Sequence, residues 1–325
     1  MTPGSMTDAT VKAAIAAIES ETATPVEKIE MLIEMAMEMQ KKPKSPQDLY
    51  NAVELYLRAI ELCGDTYLLL RARAMTGLGT ALRSIPDNGI ELLIEAKNLY
   101  DTALPLLQEH ATPEEVAEAE MNLGLVLQSL APHGKAKMAE SIQAYQRALR
   151  VFTGDAYPQE FAILQNNIAI AYLSMPLATD CDELRQGMAV QAFELALRWI
   201  TLIAHPSEYA MLQNNLGNAL QYMHSRHPVE NNYRAIVAYD EALKVRNAHD
   251  TPMEYANTIA NKANALSNLP DDAEHPEAGN RSNLFQAQQY YREAEEILKQ
   301  HGQLDQAATV AQALAQVEKD LEALQ

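Results

Sequence analysis

The chain has 325 residues, 48% of them apolar, with four Phe, one Trp, two Cys and a formal net charge of −19 at pH 7. A charge of that sign and size repels DNA, RNA and anionic membrane surfaces, so a basic or amphipathic protein or peptide is the partner it suits. Cys63 and Cys181 stand far apart and supply neither a disulfide framework nor a metal cluster; there is no 18-residue apolar run and no basic-then-apolar leader, which together point to a cytoplasmic protein.

Residues 1–5 read as a tag remnant or a disordered start, with Gly4-Ser5 ahead of Met6, and 6–20 as a short amphipathic helix. A signature then recurs along the chain: Thr24-Pro25-Val26-Glu27, Thr112-Pro113-Glu114-Glu115, Tyr157-Pro158-Gln159-Glu160, His205-Pro206-Ser207-Glu208 and Thr251-Pro252-Met253-Glu254. Eleven residues after each proline stands Ala36, Gly124, Ala169, Gly217 or Ala263. A proline at the first helical position loses nothing, because its missing N–H would have no partner there, and a Glu at the third position can cap the same orphan donors. Each signature therefore starts a helix, with a small residue three turns inside it where a second helix can come close.

That second helix carries its own anchor, a small residue, an aromatic four on and an alanine three further. The sets are Ala52/Tyr56/Ala59, Ala96/Tyr100/Ala103, Ser141/Tyr145/Ala148, Ala189/Phe193/Ala196, Ala235/Tyr239/Ala242 and Ala287/Tyr291/Ala294, each on one helical face. From each aromatic to the next small anchor (56→79, 100→124, 145→169, 193→217, 239→263) the distance is 23 once and then 24, whereas the return distance varies from 20 to 28. Insertions thus fall inside helix pairs and not between them. This predicts first helices over 25–40, 66–84, 113–130, 158–175, 206–223 and 252–268. The second helices fall over 46–63, 88–108, 136–152, 184–203, 230–246 and 281–299. The six pairs fill 24–300, and 303–325 reads as an unpaired first helix whose Glu318, Lys319, Asp320 and Glu322 suit a polar cap.

Asn214-Asn215-Leu216-Gly217-Asn218-Ala219-Leu220 and Tyr239-Asp240-Glu241-Ala242-Leu243 resemble the two helices of a tetratricopeptide (TPR) unit. Pro158 to Tyr172 and Pro206 to Leu220 are similar to the long bacterial TPR variety that reads P-x-E-x-A-x-x-Q-N-N-L-G-N-A-Y and often accompanies CHAT protease domains. Two departures stand out: no catalytic domain is attached, and the second first-helix, Thr66 to Ser84, lacks the Pro-x-Glu start. The resemblance implies an all-α, right-handed superhelical solenoid with capping helices at both ends. It also implies a non-enzymatic adaptor or scaffold that holds a partner protein or peptide on its concave face. A chaperone or assembly factor for a multi-subunit or metallocofactor enzyme, and a peptide- or small-molecule-responsive regulator, are the alternatives.

The most informative polar pattern is an array of amides. Asn122, Asn167, Asn215 and Asn261 stand two before the small anchors; Asn166 and Asn214 lie beside two of these, Asn218 and Asn264 follow the last two anchors, and Gln128 and Gln221 lie one turn on. Asn is a mediocre helix-interior residue, so its repetition asks for a reason. Either the amides fix the angle between neighbouring pairs, or they hold an extended peptide backbone, to which an amide can both donate and accept. The resemblance places Asn166, Asn214, Asn218 and Asn264 on the groove face, with Arg73 and Arg83 at one end available to a carboxylate.

Other chemistry is sparse. His224 and His227 have a spacing two metal ligands can use but no companion cluster, and read as a solvated loop. Asp180, Cys181, Asp182 and Glu183, with Asp271, Asp272, Glu274 and Glu277, lack the order of a calcium loop and read as acidic turns. Met31, Met35, Met37 and Met39 read as core packing rather than an adaptable binding surface. No phosphate-binding glycine loop, zinc-protease motif or nucleophile elbow is present, so neither metal nor cofactor is expected.

Overall fold

The structure, a computed structural model, describes residues 9–20, 22–86, 89–176, 181–223, 227–272 and 274–324. Among them the regular elements are α-helices and short 3₁₀ turns, with no strand. The chain divides into two compact units, Met1–Thr153 and Gly154–Gln325, the boundary falling in the loop after the third helix pair.

In the first unit α1 (Ala9–Ser20) packs on the pair α2 (Pro25–Lys41) and α3 (Pro46–Cys63). The pairs α4 (Leu68–Ser84) with α5 (Glu91–His110), and α6 (Pro113–Leu130) with α7 (Met138–Ala148), follow. The second unit pairs α8 (Pro158–Leu173) with α9 (Asp182–Ala196), α10 (Pro206–Gln221) with α11 (Pro228–Leu243) and α12 (Pro252–Ser267) with α13 (Arg281–Gln300). It closes with α14 (Leu304–Ala323), which touches both α12 and α13. First helices of successive pairs also touch, α4 with α2 and α6, and α10 with α8 and α12, so the first-helix faces lie side by side within each unit.

The aromatic anchors explain this register. Tyr100, Tyr145, Phe193 and Tyr239 are all fully buried. A Cβ on Gly79, Gly124 or Gly217 would lie 2.8, 2.4 or 2.5 Å from the ring carbons of Tyr100, Tyr145 or Tyr239, so only glycine admits these rings at those positions. Gly77 does the same for Tyr56, a contact made toward the preceding pair that the spacing of the anchors does not reveal.

Two expectations about helix ends change. The capping box forms at Thr24/Glu27 and Thr112/Glu115, but α8, α10 and α12 have no side-chain cap. Tyr157 and His205 lack a short hydroxyl to accept from the helix, and Thr251 turns its own back to the backbone of Asn247. The second helices α7, α9 and α11 end at Ala148, Ala196 and Leu243, before the expected 152, 203 and 246. Their last turns tighten into i→i+3 bonds such as Val151 N–H to Ala148 O and Trp199 N–H to Ala196 O, which swings Phe152 and Ile200 into the core. Trp199 then lies on Gly154, where a Cβ would be 2.3 Å from the indole Nε1.

One buried ion pair ties α6 to α7. Arg147 Nε and Nη2 each donate over 2.7 Å to Glu120, whose side chain is only 6% exposed, while that of Arg147 is 42% exposed. Truncating one partner of a buried pair costs about 3–5 kcal/mol because the other charge is left desolvated. Water reaching the site from the Arg147 side reduces this, so Arg147→Ala is expected to cost about 2 kcal/mol in urea unfolding. Adding Glu120→Gln should recover part of that loss, since no charge then remains buried.

Candidate functional site

The predicted amides fall into distinct groups once their partners are known. Gln128 and Gln221, four residues after Gly124 and Gly217, accept from the buried rings: Tyr145 Oη lies 2.8 Å from Gln128 Oε1, and Tyr239 Oη 2.8 Å from Gln221 Oε1 and 2.8 Å from Asn218 Oδ1. Gln40 serves Tyr56 in the same way at 3.0 Å. Where the ring is Phe193 and has no hydroxyl, the equivalent position is Leu173. In the second pair the position is Arg83, and Tyr100 turns instead to Thr80 Oγ1 at 2.6 Å; burial pushes its hydroxyl up to about 12. The glutamines are thus ring anchors. The Tyr-with-Gln and Phe-with-Leu pairing was readable in the sequence as a signal for them.

Asn166 and Asn214, expected on the groove face, are 7% and 9% exposed. They belong to a chain of side-chain bonds running across α8, α10 and α12. Arg246 Nη1 donates to Thr258 Oγ1 (2.8 Å), which lies 3.2 Å from Asn214 Oδ1 and 2.7 Å from the Glu254 carbonyl. Asn214 Nδ2 continues to Asn215 Oδ1 (3.4 Å), Asn215 Nδ2 to Asn166 Oδ1 (2.9 Å), and Asn166 Nδ2 to Asn167 Oδ1 (3.3 Å). Asn261 Nδ2 reaches Asn214 Oδ1 from α12 at 3.5 Å. From Asn214 to Asn167 the donors point one way, an arrangement in which each bond polarises the next, while the single Thr258 proton is shared between Asn214 Oδ1 and the nearer Glu254 carbonyl. Asn166 and Asn214 are therefore struts between neighbouring pairs. The reason is burial: an amide there leaves solvent only if its partners travel with it. Thr258 and Arg246 complete the network without any repeat-spaced signal to announce them.

The amides that keep hydrogen-bonding capacity are half-buried. Asn218 uses its oxygen for Tyr239, and its amide nitrogen makes no bond among the described residues. Asn264 Nδ2 donates to Tyr222 Oη at 2.8 Å, leaving its oxygen open, and Tyr222 is 62% exposed. Asn167 Nδ2 and the oxygen of Asn261 also have no bond among the described residues. In the first unit Asn122 makes no hydrogen bond among the described residues and lines a cavity of about 520 Å³ together with Arg73.

Arg73 and Arg83 separate as well. Arg73 already has a carboxylate partner: its Nε and Nη2 donate to Glu115 over 2.6 and 3.2 Å, tying α4 to α6. The Arg73 guanidinium holds the Glu115 carboxyl below its ordinary range. Arg83 makes no ion pair among the described residues, and its Nε is buried without a hydrogen-bond partner beside the hydroxyls of Tyr100 and Tyr145.

His224 and Asp180 lie outside the described residues, and His227 and Cys181 are exposed. Asp271 accepts from the N–H groups of Ser282 and Asn283 (2.8 Å each) at the start of α13, and Asp182 pairs with Arg185. No group of three or more His, Cys, Asp or Glu among the described residues is placed to hold a metal ion, and no helix there is long and apolar enough to cross a membrane. The methionines divide: Met35 and Met39 pack on the core as expected, but Met31 and Met37 are 40% and 56% exposed.

No known family model matches the chain, and no curated protein is similar to it. Among solved structures it is similar to BtubC (BKLC) from P. vanneervenii, at 18% identity and a TM-score of 0.50 over 88% of this chain and 92% of that one. It also matches a Rap protein complexed with Competence and Sporulation Factor, at 13% identity over 92% of this chain and 99% of that one, with a TM-score of only 0.31. The first likeness is one of fold alone. With the paired-helix register, it makes the chain an all-α helical-repeat protein, built in each unit from successive helix pairs.

Proposed function

We propose that the chain is a non-enzymatic adaptor whose second unit holds an extended segment of a partner protein along the first-helix faces of α8, α10 and α12. The observation that carries this reading is the half-buried amide strip. Asn167, Asn218, Asn261 and Asn264 each keep an unused donor or acceptor on three adjacent helices, while the Asn166–Asn215 strut below holds the strip in place. Such groups match the alternating N–H and C=O of an extended backbone. The surface is pre-organised, so binding does not have to pay for ordering it.

A photo-cross-linking amino acid in place of Tyr222 should capture the partner in the native cell, and the same group in place of exposed Val237 on α11 should not. With the captured protein purified, Asn218→Ala with Asn264→Ala is expected to weaken binding about five- to hundredfold, from roughly 0.5–1.5 kcal/mol for each lost bond. Tyr239 keeps Gln221 as an acceptor, so the fold should persist. Unchanged affinity in the double variant, or equal capture from Val237, would place the partner elsewhere.

A further inference from the structure

Tyr56, Tyr100, Tyr145 and Tyr239 each bond their hydroxyl to a side chain of the helix before, so that both ends of the buried ring are held. Tyr291 breaks the rule. It packs with Ala263 and is only 4% exposed, yet its hydroxyl makes no hydrogen bond among the described residues. The acceptor position, four residues after the small anchor, is here the short Ser267, whose Oγ turns to the Ala263 carbonyl at 2.9 Å. Asn264, which matches Asn218 of the pair before, turns away as well and donates to Tyr222 Oη at 2.8 Å. The Tyr291 hydroxyl is not enclosed, so a group from outside can reach it. A ring more than nine-tenths buried with an unanswered hydroxyl calls for a partner.

The groups beside it are polar and neutral. Burial pushes the Tyr291 hydroxyl up, and Tyr222, itself 62% exposed, lies near enough to push it further. The Tyr222 proton and the Asn264 oxygen are both unused, so this pair offers a donor beside an acceptor. Turning the Asn264 amide over exchanges the two roles and leaves the same offer. No basic residue stands on α10, and the one on α12, Lys262, is bound to Asp240, so a carboxylate would find no free cation on either helix. A neutral group is favoured. A trans peptide unit sends its C=O and N–H to opposite sides, whereas a primary carboxamide carries both on one edge. We infer that Tyr291, Tyr222 and Asn264 form a subsite for the side-chain carboxamide of a Gln or Asn in the partner segment, its oxygen accepting from the hydroxyls and its N–H donating to Asn264. This rests on the amide strip being the binding surface, and adds the side chain that the partner brings to it.

The probes are N-acetyl-glutamine methylamide and its glutamate counterpart, titrated into the full chain carrying isotope-labelled asparagine, with the Asn264 side-chain NMR signal followed. They share one backbone, so only the side chain can separate them. Saturable shifts are expected from the glutamine probe, with affinity about tenfold weaker for glutamate, whose second oxygen cannot donate to Asn264. Tyr291→Phe keeps the ring and should weaken the glutamine probe about two- to tenfold, the scale of one hydrogen bond. Ser267→Gln restores the acceptor that Gln40, Gln128 and Gln221 supply elsewhere, so it should occupy the Tyr291 hydroxyl, weaken the probe by a similar factor and raise the melting temperature. Equal binding of the two probes, or full affinity in Tyr291→Phe, would overturn the inference. If Ser267→Gln does not fold, Tyr291→Phe decides alone. With the captured partner, affinity lost in Asn218→Ala with Asn264→Ala but kept in Tyr291→Phe would end the subsite and leave the strip standing. Glutamine-selective binding that Tyr291→Phe weakens, with no partner captured at Tyr222, would support the subsite and end the strip reading.

Discussion

Gly217→Leu is expected to cost the protein about 3 kcal/mol or more. The Cβ alone would sit 2.5 Å from Tyr239 Cε1 and 2.8 Å from its Cδ1 and Cζ, and the rest of the leucine side chain has no room beyond it. Tyr239 cannot give way, because its ring is fully buried and its hydroxyl is held 2.8 Å from both Asn218 and Gln221. Ordinary overpacking costs about 1–3 kcal/mol when neighbours can shift, and here the neighbour is an aromatic ring fixed at both ends. For a unit of this size the loss corresponds to a fall in melting temperature of roughly 6–12 °C. A second variant separates the causes: Gly217→Leu with Tyr239→Ala vacates the ring and should be less unstable than the two single costs added together. Thermal denaturation of the three variants checks this, and strictly additive losses would show that α10 and α11 do not meet at Gly217.

The repeat register was legible because it rests on strong local chemistry. Pro25, Pro113, Pro158, Pro206 and Pro252 each stand at the start of a first helix, and the fixed spacing from ring to next small anchor reports a contact that tolerates no insertion. The site was less legible, for a physical reason. Asn166 and Asn214 differ by a single helical step from positions facing the groove, and a helix turns by about 100° per residue. Whether an amide is strut or contact therefore depends on the tilt of one helix pair against the next, which periodicity does not encode. Arg73 shows the same limit: its bond to Glu115 spans 42 residues of sequence, and only the packing of α4 on α6 brings the two together. Covariation inside the chain went further than periodicity did. Tyr209 bonds to Glu241 at 2.9 Å and Tyr255 to Glu293 at 3.0 Å, while the pair between them and the first unit has Phe161 and Leu195 at the matching positions. Like the pairing of tyrosine with glutamine, this ties polar partners together across helices before any coordinates are known.

Asn166→Ala combined with Asn214→Ala is expected to destabilise the second unit by about 2–4 kcal/mol, although alanine is the better helix former. Each substitution gains at most about 0.7 kcal/mol of helix propensity. Against that, Asn215 Nδ2 loses its 2.9 Å acceptor, and the far end of the network at Thr258 and Asn261 loses Asn214 Oδ1. Asn215 Nδ2 and Asn261 Nδ2 are then left in the helix contacts without those acceptors, and leaving a polar group there without its partner costs roughly 1–3 kcal/mol. Arg246 keeps its 2.8 Å bond to Thr258, which in turn keeps the Glu254 carbonyl 2.7 Å away, so the damage should be confined to the contacts among α8, α10 and α12. Urea unfolding gives the size of the loss and amide hydrogen exchange its location, with faster exchange expected along α10. Asn218→Ala with Asn264→Ala, at the half-buried edge of the same surface, should stay within about 1 kcal/mol of the parent. If instead the buried pair proved neutral and the half-buried pair costly, the load between repeats would be carried by the tyrosine–amide bonds. Asn166 and Asn214 would then have to be explained by a ligand.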